Sequence, residues 1–251
     1  AAEVKGTKPT DHPAMRPVEA AVAATQKAID CAIKYKKRLH ILHLSTAEEV
    51  DIIRKYKDTN LITAETTPQH LLLHAPEIYE EIGAFAQMNP PIREKYHKKG
   101  LWEGLLDGTI NCIATDHAPH TIEEKKLPFG QSPAGMPGVE TSLPLMLNHT
   151  HKSDIDIKHI VKWMCENPAK IYNIKNKGYL REGYDADITL VDLNKEKVVS
   201  GKNMQSKCGW SAFDGKTLKG WPVMTIVNGN VVFENEQIND KIKGKKVIFD
   251  E

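Results

Sequence analysis

The chain has 251 residues, of which 40% are hydrophobic and 27% charged, so it is long enough for one large domain or one and a half ordinary ones with a buried core. Lys plus Arg (34) nearly cancels Asp plus Glu (33), and no basic stripe or polybasic segment argues for nucleic acid or a membrane surface as a partner. No uncharged apolar run approaches the ~20 residues of a membrane span, and the four cysteines, Cys31, Cys112, Cys165 and Cys208, lack any CxxC pair, so a reducing, cytoplasmic setting without disulfides is expected.

The opening stretch, AAEVKGTKPTDHPAMRP, has neither a positive n-region nor an apolar h-region, so no signal peptide is expected. Its missing initiator Met and irregular character lead us to expect a chain that begins partway through a larger protein. RPVEAAVAATQKAIDCAIKYKKR (16–38) carries apolar residues at helical spacing and a basic end, which the helix dipole favours there. LHILHLS (39–45) reads as a buried strand. TAEEVDIIRKYKDT predicts a helix with Thr46 as N-cap and acids in its first turn. LITAETT is strand-like and closed by Pro68, GLWEGLLDGT is a short helix ending at Gly108, and INCIATD is the next strand. DIKHIVKWMCENPAKIYN predicts a further helix, capped by Asp154 or Asp156.

Strand and helix thus alternate up to about residue 172, as in a parallel α/β arrangement. Three such strands are present, whereas a closed (β/α)₈ barrel needs eight and ~250 residues by itself. Beyond residue 177 the segments GYLREGYDADITLVDLNKEKVV and TLKGWPVMTIVNGNVVFENEQI give short strands between Gly, Asn and Asp turns, with VNGNVV as a hairpin signal. The expected domains are therefore 1–176, α/β, and 177–251, a small all-β unit.

In a parallel α/β fold functional groups collect at the C-terminal ends of strands. The first strand end offers His43, the second Glu65 and His70, and the third Asp116, His117 and His120. Imidazoles and a carboxylate from neighbouring strand ends suit a divalent transition metal, most readily zinc. His40 and His43 point to opposite faces of one strand, and His43 lies nearer its end. Taken alone, each histidine reads first as a satisfied core or surface residue and only second as a ligand.

The order of motifs adds to this. IATDHAPHTIEEK resembles the strand-8 signature of dihydroorotases, within the amidohydrolase superfamily. LHILHLST resembles their strand-6 metal-histidine segment, ITAETTPQHLLL their strand 7, and MNPPIRE the substrate loop that follows. AGMPGVETSLPLML, ENPAKIYNI and GYLREGYDADITLVDL are similar to the post-strand-8 loop and helix and the return into a β-sandwich domain. The resemblance covers nearly the whole chain. It implies the C-terminal part of a TIM-type barrel, about strands 6–8, followed by a β-sandwich-like domain.

The resemblance also implies roles. His43 would ligate the more exposed of two zinc ions. Asp116 would ligate the more buried one and shuttle the proton as a metal-bridging hydroxide attacks the ring amide of dihydroorotate. The physiological direction would be closure of N-carbamoyl-L-aspartate in de novo pyrimidine biosynthesis. Asn89, His120 and the backbone at Ala134 and Gly135 would contact the small-molecule substrate. His117 would orient the ligand carboxylate. Glu65 and His70 fit support behind the ligands or capping and surface roles equally, and Arg93 suits a substrate carboxylate, although PIREK more often marks a solvated loop. Asp185 and Asp187 in ADITLVD read as a turn into a strand.

The family's His-x-His pair with its nearby arginine, its bridging carboxylated lysine and its strand-5 histidine have no counterpart here. The expectation is a C-terminal portion of a dihydroorotase that needs its N-terminal part as partner, binds zinc weakly alone, and leaves room for a homo-oligomer. The alternatives are a hydantoinase, dihydropyrimidinase or allantoinase, or a non-catalytic scaffold of the same descent.

Overall fold

A computed structural model describes residues 6–250. They form two compact units, one running up to Glu140 and including Ser200–Asp214, the other comprising Thr141–Val199 and the chain from Gly215 onward.

The first unit is built on three parallel strands, β1 (Leu39–Ile41), β2 (Ile62–Thr66) and β3 (Cys112–Ile113), in that order across the sheet. Leu39 pairs with Ile62, His40 with Thr63 and Ile41 with Ala64, while Glu65 pairs with Cys112 and Thr66 with Ile113. Each connection carries a helix, as parallel pairing demands. The helix Val18–Tyr35 precedes β1 and ends on Lys36 in the left-handed region. The helix Ala47–Arg54 follows, and its Thr46 hydroxyl accepts from the Glu49 N–H at 3.1 Å, the expected cap.

The next long helix spans Lys95–Leu106, starting earlier than its apolar pattern indicated because its first turn is lysine-rich and polar. It crosses the 47–54 helix closely. A Cβ on Gly100 would lie 2.5 Å from the Ala47 Cβ, and one on Gly104 2.7 Å from Val50 Cγ1. Ile29, Val50, Ile53, Ala64, Leu101, Leu105 and Ile110 form the buried core around these elements.

Two strands are shorter than their apolar runs. β1 stops at Ile41 because His43 takes φ 36°, and the third strand's run is cut before Asp116 at φ 42°. Such values are uncommon for residues with a Cβ, and both positions belong to the strand-end residues singled out above. The 200–214 segment is tied in by Glu140, whose carboxylate accepts from the N–H groups of Gln205 (2.8 Å) and Ser206 (2.7 Å).

The second unit is an antiparallel sheet in the order β4 (Ile188–Val198), β5 (Thr217–Val227), β6 (Asn230–Glu234), β7 (Gln237–Ile238). Asn228 and Gly229 both have positive φ, 49° and 78°, the two-residue hairpin turn that VNGN announced. The helix Ser142–Thr150 packs on β5, where a Cβ on Gly220 would approach the Leu147 Cβ to 2.7 Å. Asp156, not Asp154, caps the next helix, Ile157–Val161, accepting from His159 N–H at 3.1 Å. The predicted single helix over 156–173 contains a wide π turn at Lys162–Glu166 just before Pro168, where the missing proline N–H interrupts the regular ladder. Lys177 bonds both Asp185, at 2.9 Å, and Asp187, and Asp187 accepts from Asn228 N–H at 2.8 Å. These acids therefore secure a turn, as their sequence context indicated.

Candidate active site at the strand ends

His43 follows β1. Its Nδ1 is buried and has no hydrogen-bond partner among the described residues, a costly state for a polar atom unless something else meets it. The backbone returns to the sheet at once, since Leu44 N–H donates to Glu65 carbonyl at 2.8 Å.

Beyond β2, Thr67 caps the short helix Pro68–Leu72. The buried His70 sits between the Thr67 hydroxyl (2.9 Å) and the Pro90 carbonyl (3.1 Å). A ring nitrogen facing a carbonyl must carry the proton, so Nε2–H donates to Pro90 and Nδ1 accepts from Thr67. Burial pushes His70 down to about 3, with the neighbouring His43 and Arg93 adding to the effect, and it stays neutral. It ties the strand end to the 89–93 loop. Glu65 does something else: its carboxylate lies 3.0 Å from His40 Nε2.

Asp116 follows β3. His117 Nδ1 accepts from Gly138 N–H (3.0 Å) and Val139 N–H (3.3 Å), so this ring anchors the 136–139 loop behind the Asp116 turn. His120 Nε2 donates to the Ala134 carbonyl at 3.2 Å, while the His120 carbonyl accepts from Trp210 Nε1 at 2.8 Å. Gly135 has φ 149°, and a Cβ there would sit 2.5 Å from the Ala118 carbonyl oxygen, so only glycine brings this loop so close. Its N–H donates to the Gln87 carbonyl at 2.8 Å, joining the Asn89 loop to the 134–135 loop.

Two residues in this network are not evident from the sequence. Lys125 is fully buried, and its ammonium donates to the carbonyls of Gln87 (3.2 Å), Pro133 (2.8 Å) and Gly135 (3.2 Å), with the Trp210 ring 5.7 Å away. Burial lowers it to about 8. His12 is buried, its Nδ1 lies 3.4 Å from the Tyr79 hydroxyl, and the Asn89 side chain is nearby. Tyr79 in turn accepts from Ile92 N–H at 3.0 Å. Arg93 is buried too, its guanidinium given to the carbonyls of Pro13 and Arg16. That overrides the reading of PIREK as a solvated loop and directs the cation at backbone.

The strand ends thus bear His43 and Asp116 on the flanking strands β1 and β3 of one sheet. The loops with Asn89, Ala134, Gly135 and His120 are laced together through Gln87 and Lys125. The His43 imidazole and the Asp116 carboxylate, following the two outer strands of one three-stranded sheet, are donors of the kind that a zinc-class ion accepts.

Residues 14–232 match a family model described as the amidohydrolase family. A dihydroorotase of Halobacterium salinarum is 36% identical over 226 residues, covering 90% of this chain and 52% of that protein. One of Pyrococcus horikoshii is 39% identical over 233 residues, covering 93% and 54%. The chain spans about half the length of the curated relatives it matches. Among solved structures, L-hydantoinase (dihydropyrimidinase) from Arthrobacter aurescens superimposes with a TM-score of 0.91 at 31% identity, covering 96% of this chain and 55% of that one. Dihydropyrimidinase from Brevibacillus agri gives 0.85 at 27% identity, over 92% and 52%. Among the described residues no helix is long and apolar enough to cross a membrane.

Proposed function

The chain belongs to the amidohydrolase family, whose model spans residues 14–232, and from that premise we propose that it is the C-terminal part of a metal-dependent cyclic amidase acting on dihydroorotate. In this reading residues 1–176 supply about strands 6–8 of a (β/α)₈ barrel and 177–251 a β-sandwich-like domain of the whole protein. The four-stranded antiparallel sheet is one layer of that sandwich. The N-terminal part of the same enzyme supplies the remaining strands and metal ligands. The whole enzyme works in the cytoplasm, interconverting dihydroorotate and N-carbamoyl-L-aspartate for pyrimidine synthesis.

The observation that carries this reading is the matched pair of left-handed strand ends, His43 at φ 36° and Asp116 at φ 42°. Strained backbone of this kind concentrates where side chains must be aimed. His43 and Asp116 would hold zinc, which when bound makes a nucleophile available near neutral pH and polarises the ring carbonyl. The Asp116 carboxylate takes the proton of the attacking water and returns it to the ring nitrogen as the C–N bond breaks. In the closing direction it takes the proton from the ureido nitrogen as that nitrogen bonds the carboxyl carbon, and gives it to the oxygen that departs as water. Asn89 and His120 meet the substrate's carboxylate and amide oxygens, the backbone at Ala134 and Gly135 lines the substrate beside them, and Gly135 keeps that wall close.

The solved structures favour a second reading, because L-hydantoinase from Arthrobacter aurescens and dihydropyrimidinase from Brevibacillus agri share this fold. Joining the chain to its N-terminal part and assaying dihydroorotate, hydantoin and allantoin side by side decides between them. We expect dihydroorotate to be the preferred substrate, and the 251-residue chain alone to turn over nothing and bind zinc weakly. Preference for hydantoin, or full activity of the chain alone with two tightly held metals, defeats the reading.

A further inference from the structure

Parallel sheets buried on both faces usually carry branched aliphatic residues. One face of this sheet does not. Strand alternation and the pairings His40–Thr63 and Glu65–Cys112 put His40, Thr63, Glu65 and Cys112 on the same side. One donor atom each from His40, Glu65 and Cys112 lies within 4.8 Å of the others, and Glu65 and Cys112 are buried. His40 Nδ1 is 2.8 Å from the Thr63 hydroxyl, which itself reaches the Leu39 carbonyl at 3.4 Å. Without a cation, Nε2–H donates to the Glu65 carboxylate at 3.0 Å; when Thr63 donates to Leu39 and accepts from Nδ1–H, the imidazole proton sits on Nδ1 and the Nε2 lone pair is turned to a cation shared with Glu65 and Cys112. That is how a metal-bound imidazole is held, its far nitrogen donating to an outer partner.

We propose that His40 Nε2, the Glu65 carboxylate and Cys112 Sγ form a mononuclear site for a zinc-class divalent cation, separate from His43 and Asp116. An imidazole, a carboxylate and a thiolate suit zinc or cobalt and disfavour magnesium and calcium. Three protein donors leave a fourth position for water. On binding, the Cys112 thiol gives its proton to solvent as the sulfur–metal bond forms. Without a cation that thiol is pushed up to about 12, by burial and then by Glu65, so uptake strengthens as pH rises and releases one proton per ion. None of these residues is used in the reading above, so the two stand or fall separately.

The test is titration of cobalt(II) chloride into the metal-free 251-residue chain. We expect a near-ultraviolet thiolate-to-cobalt charge-transfer band that saturates at one ion per chain. Cys112→Ser should abolish it, and His40→Gln should weaken binding at least tenfold. The double variant His43→Ala, Asp116→Asn should keep the band, as should Cys31→Ser, Cys165→Ser and Cys208→Ser. Circular dichroism reports whether each variant folds, and cadmium NMR of the unaltered chain gives a reading that needs no variant, because a thiolate ligand moves the resonance far downfield. Absence of both signals, or a band surviving Cys112→Ser in a folded protein, overturns the proposal and leaves His40 and Glu65 sharing only a proton.

Discussion

The ammonium of Lys125 donates to the carbonyl of Pro133 at 2.8 Å and to that of Gly135 at 3.2 Å from a fully buried position. A single cation thereby fixes the loop proposed to line the substrate, and through Gln87 the loop bearing Asn89. Lys125→Met removes three hydrogen bonds but also a desolvated charge, so the two terms oppose. The carbonyls should loosen by about 1–3 kcal/mol, seen as faster amide exchange around 87–89 and 133–135, with a smaller change in global stability.

The pH response separates the terms. The folded Lys125 sits at about 8 against an ordinary 10.5, so between these values the unfolded chain binds more protons and stability rises with pH. Burial's cost is fully present below 8 and is relieved above it. The slope approaches 1.4 kcal/mol per pH unit. Urea unfolding of the Lys125→Met variant between pH 7.5 and 10 should lack that increment; identical slopes would contradict it.

Much of this was legible in the sequence. The 47–54 helix, its Thr46 cap and the VNGN hairpin follow from local chemistry alone. The short β1 does not, because an apolar run cannot show that His43 turns left-handed. Lys125 was hidden for another reason: within IEEK it looks like a solvated lysine, and only the fold brings the carbonyls of Gln87 and Pro133 around it. Likewise His12 sits in a stretch read as irregular, yet its partner Tyr79 is far along the chain. Motif order singled out Asn89 and Asp116; what surrounds them depends on long-range contacts without periodicity.

His12 makes the protein acid-sensitive. Burial, helped by Arg16 and Arg93, lowers it to about 4 against an ordinary 6.5. Its neutral form is favoured in the folded state, so its contribution is fully present above 6.5 and is lost as pH falls toward 4, by up to about 1.4 kcal/mol per pH unit. His12→Gln should flatten that part of a stability–pH curve measured by urea unfolding. An unchanged slope would mean that His12 is not the titrating group.

Gly100 and Gly104 let the 95–106 helix lie against Ala47 and Val50. Gly100→Ala puts a methyl 2.5 Å from the Ala47 Cβ and 2.9 Å from its Cα, and a backbone neighbour cannot swing aside. Overpacking of this kind costs about 1–3 kcal/mol, more than the gain of up to ~1 kcal/mol in helix propensity. Thermal unfolding should show a net loss; equal or greater stability would mean that the helices shift apart freely.

Asp116→Asn separates backbone from chemistry. Asp116 holds φ 42°, a conformation that Asp and Asn both tolerate better than other residues with a Cβ, so the turn should survive the substitution. Asn cannot take a proton from water and return it to a ring nitrogen, and it is a poorer metal donor than a carboxylate. Positioned proton transfer is worth about 10²–10⁴ in rate. In the enzyme completed with its N-terminal part, Asp116→Asn should lose at least that factor in kcat while its unfolding midpoint stays within about 0.5 kcal/mol. Comparable loss in Asp116→Asn and in Asp116→Ala, with only the alanine variant destabilised, assigns the carboxylate to the reaction and the left-handed backbone to the fold. A variant Asn enzyme with near-normal kcat would move the proton shuttle to another residue.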